Sequence, residues 1–505
     1  MKSHTHGLLA LSVIGRRYRG LAVLIAVFAG LILPRADAQT SSSAAPGFPP
    51  GIGETGYHPD YPRLGLIAIG FDQRYLPTVW PIFAKFNVVV IGGNWERWGD
   101  ARAYTREDVV SGIKTASTVG TKVFQYIELG SAPTPTRPDL TTLTPWSDAL
   151  QANNWWLYQN GTSGPYAAAN STTLYVDESH FNIPDPTTGL WPYAFGAKIA
   201  YETFFQGRPD HPRDAAPSLD GFFLDNVSNL PANGDWNRDG TTDTGSDPTV
   251  RHWVQTGEKD FYDEMHALMP GYTQIGNNGY WPAPTSANPS PVAPLDGVLN
   301  GGVLEGLIGA SFSPDTYLDF TTTMNDYVYV METVAQPKLE FINQENLATN
   351  GSDPYNSAPY HAMRYGLCLT LMNDGYYTGD SVHHHSGAPA DILWFDEYDG
   401  GSLGAGYLGQ PVLGNLGTPQ ISPRWAIGPF GVWAREFTGG IAIMNPKGNG
   451  PQTITLAQLG GPKRWKRILG TQDPATNNGA DVTADITLGD RDGIVLLRQM
   501  PLPQP

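Results

Sequence analysis

The feature that most constrains this chain is a recurrence of short apolar runs, each bounded by glycine or polar residues and separated by longer polar stretches. Leu64 to Gly70 is the first, Asn87 to Gly92 the second, Lys122 to Glu128 the third and Gly221 to Asp225 the fourth. Tyr272 to Asn277, Gly302 to Glu305, Lys338 to Asn343 and Leu371 to Tyr377 complete eight. Short, nearly continuous apolar segments suit parallel strands whose outer face is covered by helices. Helical patterns such as Arg106 to Val119 and Val250 to Met269 lie between them. Strand–helix alternation repeated eight times predicts an α/β fold, a (β/α)8 TIM barrel over residues 61–424. Residues 129–220 form a long insertion rich in Trp, Pro and Asn, and 281–298 and 381–420 are further long loops. Loops of this length inside a compact domain are usually functional, and in barrels they rim one face.

Beyond Trp425 the pattern changes to short runs set off by Gly, Asn and Asp: Gly439 to Met444, Thr453 to Leu456, Trp465 to Leu469, Val482 to Leu488 and Gly493 to Arg498. They predict a small all-β, sandwich-like domain over 425–505 that packs against the barrel.

At the other end, Arg16, Arg17 and Arg19 precede an apolar run from Gly20 to Leu33, and Ala36-Asp37-Ala38 supplies small residues at the two positions a signal peptidase reads. This layout predicts a signal peptide over 1–38, with cleavage before Gln39 and export to the periplasm or medium. The run is shorter than the ~20 residues that span a bilayer. Residues 39–60 read as a flexible linker. The formal net charge is −17; removing a leader with five basic residues and one acid takes it to −21. Such a surface argues against nucleic acid and anionic membrane as partners and fits a neutral or cationic substrate. Cys368 is the single cysteine and sits in an apolar run, as a buried structural thiol would.

Barrel enzymes carry their chemistry at the C-terminal ends of the strands. Those ends are polar here: Asp72 after the first, Asn94 and Trp95 after the second, Glu128 on the third, Asp225 and Asn226 on the fourth. Asn277 and Asn278 end the fifth, Glu305 the sixth, Asn343, Gln344 and Glu345 the seventh, with Tyr376, Tyr377 and Asp380 around the eighth. Glycoside hydrolysis needs two carboxyl groups flanking the scissile bond, one to protonate the leaving oxygen and one to attack or to activate water. Asp225, delivered by Asp220-Gly-Phe-Phe-Leu-Asp-Asn226, is the candidate for attack. Glu305, in Gly302-Val-Leu-Glu-Gly306, is the candidate acid, with Glu128 and Glu345 as rivals. Asp72, Asn94, Trp95, Glu128, Asn226, Asn277 and Tyr377 would bind sugar hydroxyls. A helix cap or loop brace is the competing reading of Asp225.

Asp235-Trp-Asn-Arg-Asp-Gly-Thr-Thr-Asp243 has the spacing of a calcium loop, with oxygen donors at Asp235, Asn237, Asp239 and Asp243 and Gly240 at the sharp turn. The twelfth position is Ser246, not Glu, so a structural calcium and a solvated acidic turn are equal readings. His383-His384-His385 lacks partners for zinc and reads as a polar loop. Trp155-Trp-Leu-Tyr158 and Trp394-Phe-Asp-Glu-Tyr398 read equally as sugar-contacting rims or as loop anchors. No phosphate loop, dinucleotide fingerprint or nucleophile elbow occurs, so no organic cofactor is expected.

These residues resemble a group of bacterial sequences classed as hypothetical glycoside hydrolases, the "hypothetical glycosyl hydrolase family fifteen" type. The resemblance rests on Trp155-Trp-Leu-Tyr158, Asp220-Gly-Phe-Phe-Leu-Asp-Asn226, the Asp235 motif and Val303-Leu-Glu-Gly306. Leu403-Gly-Ala-Gly-Tyr-Leu-Gly-Gln-Pro411 and the segment beginning Trp433-Ala-Arg-Glu-Phe also contribute, and the likeness runs from about residue 61 onward. It implies a barrel and a glycosidase acting on a carbohydrate. An Asp ending strand four is also similar to the nucleophile position of retaining α-galactosidase-like barrels, whose acid/base sits on strand six; this layout ranks Asp225 and Glu305 first. The alternatives are a non-catalytic carbohydrate-binding or cell-surface barrel, and a polysaccharide lyase. A lyase would need a Tyr or His base beside a cation, and Arg74, Arg97 and Arg364 are the few basic residues near the strand ends.

Overall fold

A computed structural model describes residues 56–68, 76–92, 103–133, 144–161, 167, 173–227, 231–277, 279, 281–308, 319–344, 357–379, 392–412 and 422–499. The leader, Asp72, Asn94, Trp95, Asn278, Glu345, Asp380 and the histidine run lie outside them.

Eight parallel strands make one sheet in the order β1 (Gly65–Ala68), β2 (Val88–Ile91), β3 (Lys122–Glu128), β6 (Gly221–Asp225), β7 (Thr273–Asn277), β8 (Gly301–Ile308), β9 (Phe341–Gln344), β10 (Tyr376–Gly379). A parallel bridge between Leu64 and Tyr377, with Tyr377 N–H donating to Arg63 O at 2.9 Å, closes the sheet into the expected barrel. Between β3 and β6 the long insertion folds into the ribbon β4 (Ser131–Pro133) and β5 (Thr173–Tyr175), with helices α3 (Thr144–Ala152) and α4 (Pro192–Tyr201). The connecting helices include α2 (Arg106–Ala116), α5 (Pro248–Leu268), α6 (Phe320–Thr333) and α7 (Ser357–Leu371), preceded by the short α1 (Trp80–Phe83). Thr105 starts α2 with a capping box, its hydroxyl accepting from Asp108 N–H while the Asp108 carboxylate accepts from Thr105 N–H.

Strand periodicity divides the residues between two layers. Val88, Val90, Phe124, Phe223, Ile275 and Phe341 fill the barrel interior. Val89, Ile91, Val123, Phe222, Leu224 and Ile342 face the helices. Each large side chain so buried contributes roughly 1.5–3 kcal/mol. The filling leaves no room at Gly65, where an added Cβ would lie 2.1 Å from the Phe341 ring.

The eighth strand is displaced from its expected position. Leu371 ends α7, and the strand begins only at Tyr376. The reason is that α7 is wedged between the barrel and the C-terminal domain. Its 365–372 segment is therefore buried all round and lacks the amphipathic period that distinguishes helix from strand. Cys368 is buried within it, as expected.

The C-terminal domain is a four-stranded antiparallel sheet, β11 (Trp433–Glu436), β12 (Gly440–Asn445), β16 (Asp492–Arg498) and β14 (Trp465–Arg467), with a ribbon of β13 (Gln452–Ile454) and β15 (Ile486–Leu488). It has its own core around Val432, Ile443, Ile454 and Trp465. Two buried arginines tie it to the barrel: Arg435 to Asp374 at 2.7 Å, and Arg364 of α7 to Asp473 at 2.6 Å. Among the described residues no helix is long and apolar enough to cross a membrane.

Candidate active site

Period-two alternation puts Glu128, Asp225, Asn277 and Asn343 one layer above the interior residues Tyr126, Phe223, Ile275 and Phe341, at the C-terminal mouth. Asp225 is the last residue of β6, and its hydrogen bonds come from three directions. Oδ1 accepts from Asn226 N–H at 2.9 Å and from Asn277 Nδ2 at 2.9 Å, and Oδ2 accepts from the Tyr126 hydroxyl. Among the described residues Asp225 therefore caps no helix.

Glu305 differs from its expected place at a strand terminus. β8 continues to Ile308, and Glu305 occupies an irregularity in its pairing with β9. Gly306 adopts φ +59°, a conformation glycine takes without penalty, and its N–H donates to Asn343 Oδ1 at 2.8 Å. The bulge lets Leu304 and Leu307 face the helices while Glu305 points into the mouth.

One amide joins the two carboxylates. Asn277 Nδ2 donates to Asp225 Oδ1 at 2.9 Å and to Glu305 Oε2 at 2.6 Å. These bonds sum to 5.5 Å, so the two oxygens stand no farther apart than that. Asn277 is held in turn by Gly279 N–H, which donates to its Oδ1 at 2.9 Å. Desolvation by the barrel wall raises the Glu305 pKa above the ordinary glutamate value, the Asn277 bond opposes this, and the Asp225 charge adds to it.

Glu128 ends β3 beside Asp225 and accepts from Ser131 Oγ at 2.5 Å and Asn226 Nδ2 at 3.1 Å. Asn226, at φ +60°, thus braces one carboxylate with its side chain and another with its backbone. Tyr126 was not singled out in the sequence, although alternation from Glu128 places it on the same inward face. Burial first, then the charges of Asp225 and Glu128, hold its hydroxyl protonated far above the usual tyrosine range.

Tyr377 is corrected as a sugar-binding residue. Its ring is 1% exposed and its hydroxyl donates to Gln344 Oε1 at 2.7 Å. Because β10 starts at Tyr376, which faces the barrel interior, alternation turns Tyr377 outward into the helix layer. The aromatic motifs also pack inward. Trp155, Trp156, Leu157 and Tyr158 are buried. So are Phe395 and Tyr398, while Asp396 accepts from Thr471 and Gln472 N–H and anchors the C-terminal domain.

The acidic loop is organised by its own backbone. Asp235 Oδ1 accepts from Asp239 N–H at 3.0 Å, and Oδ2 accepts from Gly240 N–H at 2.9 Å and from Gly161 N–H. Asp243 accepts from Trp236 N–H at 2.9 Å, and Asp239 from Thr241 N–H at 2.8 Å. Asn237 Oδ1 accepts from Asp239 N–H at 3.0 Å. Arg238, in the same turn, pairs with the buried Asp177 at 2.9 Å. Asp247 caps α5. Among the described residues no group of three or more His, Cys, Asp or Glu side chains is placed to hold a metal ion.

No family model matches the chain, and no curated protein matches it. Among solved structures it is similar to the glycoside hydrolase domain of PelA from Pseudomonas aeruginosa, with 14% identity, 64% of this chain and 96% of that one covered, and a TM-score of 0.36. It is similar to an Anoxybacillus alpha-amylase at 11% identity, covering 87% of this chain and 99% of that one, with a TM-score of 0.43. It is also similar to an alpha-galactosidase from Thermus thermophilus at 13% identity, covering 68% and 60%, with a TM-score of 0.39. At such values none of these likenesses assigns an activity, and the chemistry is read from this chain's own side chains.

Proposed function

We propose that the protein is an exported, retaining glycoside hydrolase that cleaves O-glycosidic bonds in an oligo- or polysaccharide. The observation that carries this reading is the Asn277 amide bridging Asp225 and Glu305, with their facing oxygens at most 5.5 Å apart. Retaining enzymes hold their two carboxyl groups ~5–5.5 Å apart, whereas inverting ones need ~6.5–9.5 Å to admit water.

The bonding divides the roles. Asp225 accepts from three donors, two on Oδ1 and the Tyr126 hydroxyl on Oδ2, which leaves Oδ2 a lone pair for attack. Glu305 Oε2 must present a lone pair to the Asn277 N–H, which puts a proton on Oε1, free of hydrogen bonds among the described residues. Its raised pKa keeps that proton available for the leaving oxygen. Glu128 and Asn226 stand beside the pair to bind hydroxyls, and Asp72, Asn94 and Trp95 would do so from neighbouring strand ends.

The test is hydrolysis of a broad oligosaccharide and polysaccharide panel by wild type, Asp225→Asn and Glu305→Gln, with anomeric configuration of the product followed by NMR. Retention by wild type and collapse in both variants is expected. An inverted product removes the nucleophile role from Asp225; bound but uncleaved sugar would favour the non-catalytic barrel. N-terminal sequencing of the exported protein tests cleavage before Gln39.

A further inference from the structure

We infer that Tyr126 is a positioning residue that acts on the second chemical step, the release of the sugar from Asp225; this rests on the retaining reading above. Tyr126 sits one layer below the mouth, 5% exposed, with its ring stacked at 5.9 Å on Phe223. Its hydroxyl donates to Asp225 Oδ2. Oδ1 already receives two donors, from Asn226 and Asn277, which occupy both of its lone pairs. Among the described residues Oδ2 receives only Tyr126, so it is the oxygen with a lone pair left for bonding to carbon.

In the first step a lone pair on Oδ2 forms the bond to the anomeric carbon. The glycosidic C–O bond breaks, and the leaving oxygen takes its electron pair and the proton from Glu305 Oε1. Asp225 loses its charge, and the Tyr126 bond weakens. In the second step water bonds to the anomeric carbon and gives a proton to Glu305. The carbon–Oδ2 bond breaks, and its electron pair returns to Oδ2 as carboxylate charge. The Tyr126 O–H is already aimed at that charge, and a preorganised donor where charge develops lowers the barrier to forming it. The same hydroxyl stabilises the free carboxylate before the first step, so its net benefit falls on release.

Among the described residues the groups facing Asp225 are Tyr126 and Glu128 from β3, Asn277 from β7 and Glu305 from β8. Among the described residues only the Tyr126 hydroxyl donates to Oδ2. Tyr126→Phe keeps the stacked ring and removes this one donor. The experiment pairs two readouts on wild type and Tyr126→Phe. The first is the titration of Asp225 by 13C NMR of carboxyl-labelled aspartate, its resonance assigned by its loss in Asp225→Asn. The second is burst kinetics with activated aryl glycosides of the sugar the panel identifies. Expected are a higher Asp225 pKa, an acidic limb of kcat/KM moved to higher pH, and release slowed about 10- to 100-fold. Glycosyl-enzyme would then accumulate as a burst larger than wild type gives. An unchanged Asp225 titration overturns the inference, as does equal slowing of both steps. Silence of wild type on the whole panel refutes the hydrolase reading instead, and the titration alone then decides whether Tyr126 acts on Asp225.

Discussion

Glu178→Gln should remove a pH dependence of stability that originates in the insertion between β3 and β6. Glu178 is 5% exposed, the Tyr193 hydroxyl beside it offsets its burial only in part, and Arg238 is taken by its neighbour Asp177. Burial pushes the Glu178 carboxyl up to about 8 from an ordinary value of 4.5. A carboxyl whose folded pKa is raised favours folding while protonated. Its contribution is fully present below pH 4.5 and is lost as pH rises toward 8. At ~1.36 kcal/mol per unit, the loss across that window is at most ~5 kcal/mol. Asp177, pushed up to about 6 by burial and restrained by Arg238, adds the same sign at lower pH. For a folded unit of this size, with an unfolding entropy of ~1 kcal/mol/K, the Glu178 share is ~5 °C in Tm. Thermal melts of wild type and Glu178→Gln at pH 5 and pH 8 should agree within ~1–2 °C at the lower pH, with the variant melting ~3–5 °C higher at pH 8. Parallel Tm-against-pH curves, or a wild type more stable at pH 8, would refute the assignment of a strained buried acid.

Asn277→Ala removes a donor from both carboxylates at once. Losing a hydrogen bond to a charged group raises the pKa of each. Both limbs of the kcat/KM profile should therefore move to higher pH while the maximum falls ~10- to 1000-fold; a fall without displacement would show that Asn277 only binds sugar. At Gly221 a Cβ would lie 1.8 Å from the Thr273 carbonyl oxygen, in the backbone of the next strand. Gly221→Ala should cost ~3 kcal/mol or more, read as a Tm lowered by ~3 °C or more, and a Tm within ~1 °C of wild type would contradict the strand packing. Calcium at Asp235, Asn237, Asp239 and Asp243 is a separate proposal, in which the ion would take the lone pairs that the loop's own N–H donors leave open, such as the second one on Asp235 Oδ1. Millimolar calcium added after EDTA should raise Tm by binding the folded loop, and an unmoved Tm would leave the turn as a self-braced acidic loop.

What the sequence by itself determined is the barrel, the ends of its third, fourth and fifth strands, and the polar character of its mouth. β3 and β6 fall on the expected residues because each is an apolar run cut off by a carboxylate, and alternation then places Glu128 and Asp225 on one inward face. It misplaced the eighth strand, because a helix buried on all sides carries no period, and with it the face of Tyr377. Glu128, Asp225 and Glu305 are all legible as candidate carboxylates, but their pairing is not. Only the tertiary structure brings Asn277 between Asp225 and Glu305, bulges β8 at Gly306 to aim Glu305, and raises Tyr126 from the layer below to Oδ2 of Asp225. The physical reason is one of range: burial pattern and turn chemistry act between near neighbours in the chain, whereas a hydrogen bond across 99 residues, such as Tyr126 to Asp225, exists only once the barrel has closed.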